Sequence, residues 1–167
     1  MLKLVDLIDI QKCNIEIDYY VPFSVEIGEQ KTYVENKVYW RTGNIQNSLL
    51  EIGLGEKTGT LRSITLTAVN QSKLEEMPLQ EIKVIEGNPI FDISMINGNI
   101  FDYKAEFNVY LGENDITILL GSVDKTKTIV EINRVEMGFN SEEELQFIKI
   151  KELVKEEYSE LKASLNL

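Results

Sequence analysis

The sequence predicts an α+β fold, predominantly antiparallel β-sheet, made of two tandem pseudo-repeats each closed by a helix, the C-terminal helix the longer. Three observations predict it. Apolar and polar residues alternate at period two over most of the chain, as in strands with one face on a core and one in water. The pattern returns after about 84 residues, Phe23 matching Phe107. Only near the C-terminus does the spacing change to three and four residues, the period of a helix.

The elements follow in order. Ile15, Ile17, Tyr19, Val21, Phe23, Val25 and Ile27 share one face, and Glu16, Asp18, Tyr20, Ser24 and Glu26 the other. Pro22 has no N–H to give to a ladder, so it marks a bend, bulge or edge. Val34, Val38 and Trp40 give a further strand. Residues 55–59 form a turn between strands at 49–54 and 60–69. A short helix is expected from Ser72 to about Met77, ended by Pro78. Glu86-Gly87-Asn88-Pro89 reads as the link, so the units run 1–85 and 86–167 within one compact domain.

In the second unit Phe101, Tyr103, Ala105, Phe107, Val109 and Leu111 alternate with Asp102, Lys104, Glu106, Asn108 and Tyr110. Turns at 112–115 and 140–143 separate strands ending at Leu111, at 116–120, at 129–139 and at 144–150. Residues 99–103 and 107–113 echo 14–19 and 23–29. Glu136-Met137-Gly138-Phe139 followed by 145–150 echoes Glu51-Ile52-Gly53-Leu54 followed by 61–66. Leu7-Ile8-Asp9-Ile10 resembles Ile90-Phe91-Asp92-Ile93. Val154, Tyr158, Leu161 and Leu165 line one face of a helix of about three turns.

With 167 residues, 43% hydrophobic and 27% charged, the chain can bury a core without a metal or disulfide. Cys13 is the single cysteine, which fits a reducing compartment. The first residues lack the apolar core and cleavage site of a signal peptide, and no apolar run is long enough to span a bilayer. A cytoplasmic monomer or homodimer is expected. The net charge of −11 repels nucleic acid and anionic lipid and attracts basic proteins.

The residues that usually carry chemistry are scarce. There is no histidine, which removes the commonest general base and most zinc sites. Cys13 has no basic cluster beside it in sequence to activate it. Gly53-Leu54-Gly55-Glu56-Lys57-Thr58-Gly59 resembles a phosphate loop superficially, but Glu56 separates glycine from lysine and a strand follows. The acids Asp18 with Asp102 and Glu51 with Glu136 are matched between the units; acids on the polar phase of strands are ordinarily solvated surface. No loop has calcium-binding spacing. The expectation is a protein that is not an enzyme, with no cofactor and no metal. Tyr20, Tyr39 and Tyr110 fall on polar phases, whereas Trp40 falls on the apolar phase and belongs to the core. Tyrosines flanked by acids suit a protein interface.

Residues 49–66 and their echo at 136–150 share the pattern acid–apolar–Gly–apolar, a polar turn, then Leu-x-x-Ile-x-apolar or its equivalent. In this layout the chain resembles the immunity proteins of bacterial toxin systems, including those of contact-dependent inhibition, over about a quarter of its length. The resemblance implies a cytoplasmic protein that binds one cognate toxin domain and blocks its active site. It carries over no individual functional residue. A basic toxin would meet an acidic partner by fast, steered association. The contacts expected from charge and phase are Glu16, Asp18, Tyr20, Glu26, Asp102, Glu106, Tyr110, Glu113 and Asp115. Two other readings stand beside this one. One is a phage-type inhibitor that mimics nucleic acid. The other is a β-rich protein that binds a small ligand in a pocket between the units.

Overall fold

The computed structural model describes residues 1–28, 35–78 and 81–167. Val34 of the expected third strand and Glu29 of the first echo lie outside them. The described strands form one ribbon and two larger sheets. The ribbon pairs β1 (Leu4–Ile8) with β9 (Asn88–Phe91), antiparallel.

The first sheet holds β2 (Cys13–Glu16), β3 (Phe23–Ile27), β4 (Lys37–Thr42), β5 (Leu49–Gly55), β6 (Leu61–Ala68) and β10 (Ile100–Tyr103), in the order β10-β4-β5-β6-β3-β2. The second holds β7 (Ser72–Leu74), β8 (Lys83–Glu86), β11 (Asn108–Leu111), β12 (Ile116–Leu119), β13 (Thr128–Ile132), β14 (Val135–Phe139) and β15 (Leu145–Ile150). Its order is β7-β11-β12-β15-β14-β13-β8. Both therefore contain one antiparallel five-strand arrangement: β4-β5-β6-β3-β2 in the first and β13-β14-β15-β12-β11 in the second.

The hairpins β5–β6 and β14–β15 agree in detail. Gly53 faces Ser63 and Gly138 faces Phe147, and in each the register shifts at the next residue, Leu54 or Phe139. The glycines are demanded by space: a Cβ at Gly53 collides with the Ser63 hydroxyl, and one at Gly138 with the Phe147 ring. The shared Gly-apolar pattern in the sequence is thus a shared bulge.

Several expectations are corrected. Among the described residues no helix closes the first unit; Ser72–Leu74 is the strand β7, parallel to β11. The period-two run at 15–27 is a hairpin, with β2 and β3 separated at 17–22. Its echo does not occupy the matching place, because β10 joins the first sheet and β11 the second. The run at 129–139 is also a hairpin, turned at Asn133, which takes a left-handed φ of 52°. Residues 86–89, expected as a link, join β8 to β9 through Gly87.

The two halves exchange strands. β10 pairs parallel with β4, and β8 parallel with β13. The ribbon touches both sheets: the Leu4 N–H donates to Glu143 C=O at 2.9 Å, and the Phe91 N–H to Gly59 C=O at 2.8 Å. A single hydrophobic cluster joins Trp40, Ile52 and Ile64 of the first sheet to Ile118, Met137 and Ile148 of the second. Trp40 is buried, as its phase predicts, and stacks on Tyr103 with ring centres 5.6 Å apart.

The expected C-terminal helix is α1 (Lys155–Ser164), with Leu161 and Leu165 in the cluster. Glu157 fixes its start. Its carboxylate accepts the Val154 N–H at 3.1 Å and both arms of the Arg134 guanidinium at 2.9 Å. Among the described residues no helix is long and apolar enough to cross a membrane.

Candidate functional site

Strand alternation puts a polar row across the outer face of the first sheet and another across the second, where Thr117 and Lys149 in its middle are buried. In the first, Asp102, Arg41, Glu51, Thr65, Ser24 and Glu16 lie side by side from β10 to β2. In the second the row runs Lys73, Tyr110, Thr117, Lys149, Glu136, Glu131 and Glu86, from β7 to β8. The nine expected contact residues are therefore split. Glu16, Glu26 and Asp102 share the outer face of the first sheet, with Asp18 and Tyr20 at its β2–β3 tip. Tyr110, Glu113 and Asp115 belong to the second sheet, and Glu106 lies between β10 and β11.

Internal pairing separates them further. Arg41 binds Asp102 through two hydrogen bonds, 2.7 and 3.0 Å. That hydrogen bonding holds the Asp102 carboxyl below the usual range and raises the guanidinium above its own. Glu26 is paired with Lys37 at 3.1 Å, and Asp115 with Lys149 at 3.5 Å. Glu106 accepts Asn44 Nδ2 at 2.7 Å and the Ser48 hydroxyl at 3.0 Å, pinning the β4–β5 turn. Glu113 stands beside Glu76, whose carboxylate takes its backbone N–H. Tyr110 is half-buried between Lys73 and Thr117. The matched acids do not meet. Glu51 has Arg41 at 3.8 Å, and Glu136 has Lys151 at 3.2 Å.

The β2–β3 tip differs. Glu16 and Asp18 are exposed, and among the described residues neither has a cation within ion-pair distance. Asp18 Oδ1 accepts the Tyr20 N–H at 2.7 Å, a local turn that the sequence Asp-Tyr-Tyr-Val-Pro favours. The turn lifts both tyrosines out of the sheet. Tyr20 is 83% exposed and Tyr19 53%, and their rings meet edge to face at 5.2 Å. A hollow of about 390 Å³ beside them is lined by Glu16, Asp18, Val21 and Ser24. Phase reasoning put Tyr19 and Val21 on the core side and so missed both. Pro22, read with the Asp18-Tyr19-Tyr20 run as a loop, would have recovered them.

Cys13 and the 55–59 turn, the two features closest to a catalytic or phosphate motif, sit in structural surroundings. Burial pushes the Cys13 thiol up, with nearby Arg134 pulling the other way. In the 55–59 turn the Lys57 and Thr58 N–H groups donate to the Glu35 carboxylate at 2.7 and 3.2 Å, so this phosphate-loop lookalike already holds an anion of its own. Among the described residues no three histidine, cysteine or acidic side chains cluster closely enough to hold a metal ion.

No family model matches the chain, and no curated protein matches it in sequence.

Proposed function

We propose that this chain is a non-enzymatic, cytoplasmic immunity protein that neutralises a basic toxin domain by covering its active site with the β2–β3 tip and the adjoining face of the first sheet. One observation supports this reading above the others. Glu16 and Asp18 are the expected contact acids that combine exposure, no cation partner among the described residues and a pair of exposed tyrosines. Rigid aromatic rings ringed by charge are what interfaces use as anchors, and unpaired carboxylates raise the rate at which a basic partner arrives.

We also infer that the two five-strand arrangements descend from one duplicated unit. On that correspondence the β2–β3 tip matches the β11–β12 turn at 112–115. The second turn has Asp115 tied to Lys149, so the two turns have diverged, one toward structure and one toward an open surface.

The nucleic-acid-mimic reading would use the line Glu86–Glu131–Glu136 on adjacent strands. Lys151 spans two of those three, at 2.6 and 3.2 Å, and so offsets part of that line's charge, whereas among the described residues no cation pairs with the acids of the tip. The test is capture of partners by the tagged chain at low salt, with a high-salt control, followed by assay of the captured protein. One basic partner, bound one to one and silenced by binding, supports the proposal. A captured protein whose activity is unaffected, or no captured protein at all, refutes it.

A further inference from the structure

β2 ends the first sheet, so among the described residues one side of its main chain has no neighbouring strand. The hydrogen-bond pattern tells which residues face that side. The Gly28 N–H donates to Lys12 C=O at 2.7 Å, and antiparallel pairs exchange bonds at every second residue. The pairs Asn14–Glu26 and Glu16–Ser24 therefore carry the bonds to β3. The N–H and C=O groups of Cys13 and Ile15 point the other way, and among the described residues no main-chain hydrogen bond meets them.

Proteins guard such edges with lysine, proline or a very short strand. β7 has only three residues, and β8 begins on Lys83. On β10 the outward acid Asp102 is held by Arg41. β2 is short, at four residues, but carries neither lysine nor proline within 13–16 and runs straight into Glu16 and Asp18, which have no cation partner among the described residues.

We infer that this edge takes up an extended, basic segment of the partner as an added strand. The inference rests on the binding function proposed above and names its docking mode. Cys13 and Ile15 supply main-chain hydrogen bonds. Lysine or arginine at alternate positions of the incoming segment lies over Glu16 and reaches the hollow beside Asp18. Affinity comes from the main chain, and selection for a basic segment comes from the two acids.

The probe is a blocked heptapeptide alternating lysine and valine, added to the isotope-labelled full chain. Two controls have glutamate in place of lysine, or N-methyl groups on alternate amides. The expected result is a shift of the Cys13 and Ile15 amides and at least tenfold slower hydrogen exchange there. The N-methylated and glutamate peptides should bind at least tenfold more weakly. Equal binding by the N-methylated peptide, shifts confined to other strands, or no binding overturns the inference. Ile15→Pro gives an independent check, since it deletes an outward N–H without touching the β2–β3 ladder. If that variant melts like the wild type and still holds the captured basic partner, while Glu16→Lys with Asp18→Lys loses it, edge addition is wrong and the binding function stands. If the wild type captures no basic protein, the binding function itself is wrong.

Discussion

Gly138 and Gly53 show how a single side chain decides a strand. Both sit at a bulge, yet they face different neighbours, a fully buried Phe147 ring and a Ser63 hydroxyl. A hydroxyl can rotate aside, whereas a ring packed on every side cannot. Gly138→Ala should therefore cost about 2–3 kcal/mol and Gly53→Ala about 1 kcal/mol or less, as read from denaturant melts. Equal costs would show that the ring moves as freely as the hydroxyl. Lys151 carries a second prediction at this scale. Glu131 and Glu136 face each other across adjacent strands, a repulsive arrangement that Lys151 offsets by binding both. Lys151→Met should destabilise by about 1–2 kcal/mol at low salt, and a second change, Glu136→Gln, should restore most of it. The hydrogen bond to Glu131 raises the Lys151 pKa above its ordinary value. Its contribution is thus complete below about pH 10, the unfolded value, and is lost as pH rises through the higher folded one. A Lys151→Met penalty that persisted undiminished at strongly alkaline pH would contradict this.

At the scale of elements, α1 is held at its first turn by the Glu157–Arg134 pair, beside the turn that joins β13 to β14. The hydrogen bonding from Arg134 holds the Glu157 carboxyl below its usual range. For a lowered folded pKa the stabilisation is present above the unfolded value of about 4.3 and disappears as pH falls through the folded one. Glu157→Gln should cost about 1 kcal/mol at pH about 7 and almost nothing at pH about 2. A difference between variant and wild type that is independent of pH would mean the charge is not what holds the helix. The helix itself was legible in the sequence, because Val154, Tyr158, Leu161 and Leu165 keep a helical spacing. The turns at 55–59, 112–115 and 140–143 were legible for their Gly, Asn and Asp content. The turn at Asn133 carries no glycine or proline, and its signal is a change of apolar phase, from Val130 and Ile132 to Val135, Met137 and Phe139. A helix at Ser72 to about Met77 is expected only as the first-unit counterpart of the C-terminal helix, and Ser72–Leu74 instead forms the strand β7. The parallel pairings of β7, β8 and β10 leave no local trace, because strand partners far apart in sequence are chosen by the core and not by the turn between them. The same limit applied to the contact acids. Sequence phase puts Glu26 and Asp102 on water-facing strand sides and turn chemistry puts Asp115 in a loop, but only the fold brings Lys37, Arg41 and Lys149 against them.

At the scale of the whole molecule, strand exchange makes the two sheets interdependent. β7 and β8 flank the second sheet from the first half of the chain, β10 returns to the first sheet, and one hydrophobic cluster runs through both. Heating should give one transition seen alike by near- and far-ultraviolet circular dichroism, with calorimetric and van't Hoff enthalpies equal. Two separable transitions would show that the sheets fold independently. The net charge of −11 also acts at this scale, since it steers any basic partner toward the molecule before the tip makes contact. The division between steering and contact gives the decisive comparison. With the captured partner in hand, its affinity should be measured at low ionic strength for the wild type, for Glu16→Lys with Asp18→Lys, for Tyr20→Ala, and for Glu113→Lys on the other sheet. Binding through the β2–β3 tip predicts a loss of tenfold or more for each of the first two variants and little change for Glu113→Lys. Unchanged affinity at the tip, or an equal loss from Glu113→Lys, would place recognition elsewhere on the molecule and contradict the proposed function of this surface.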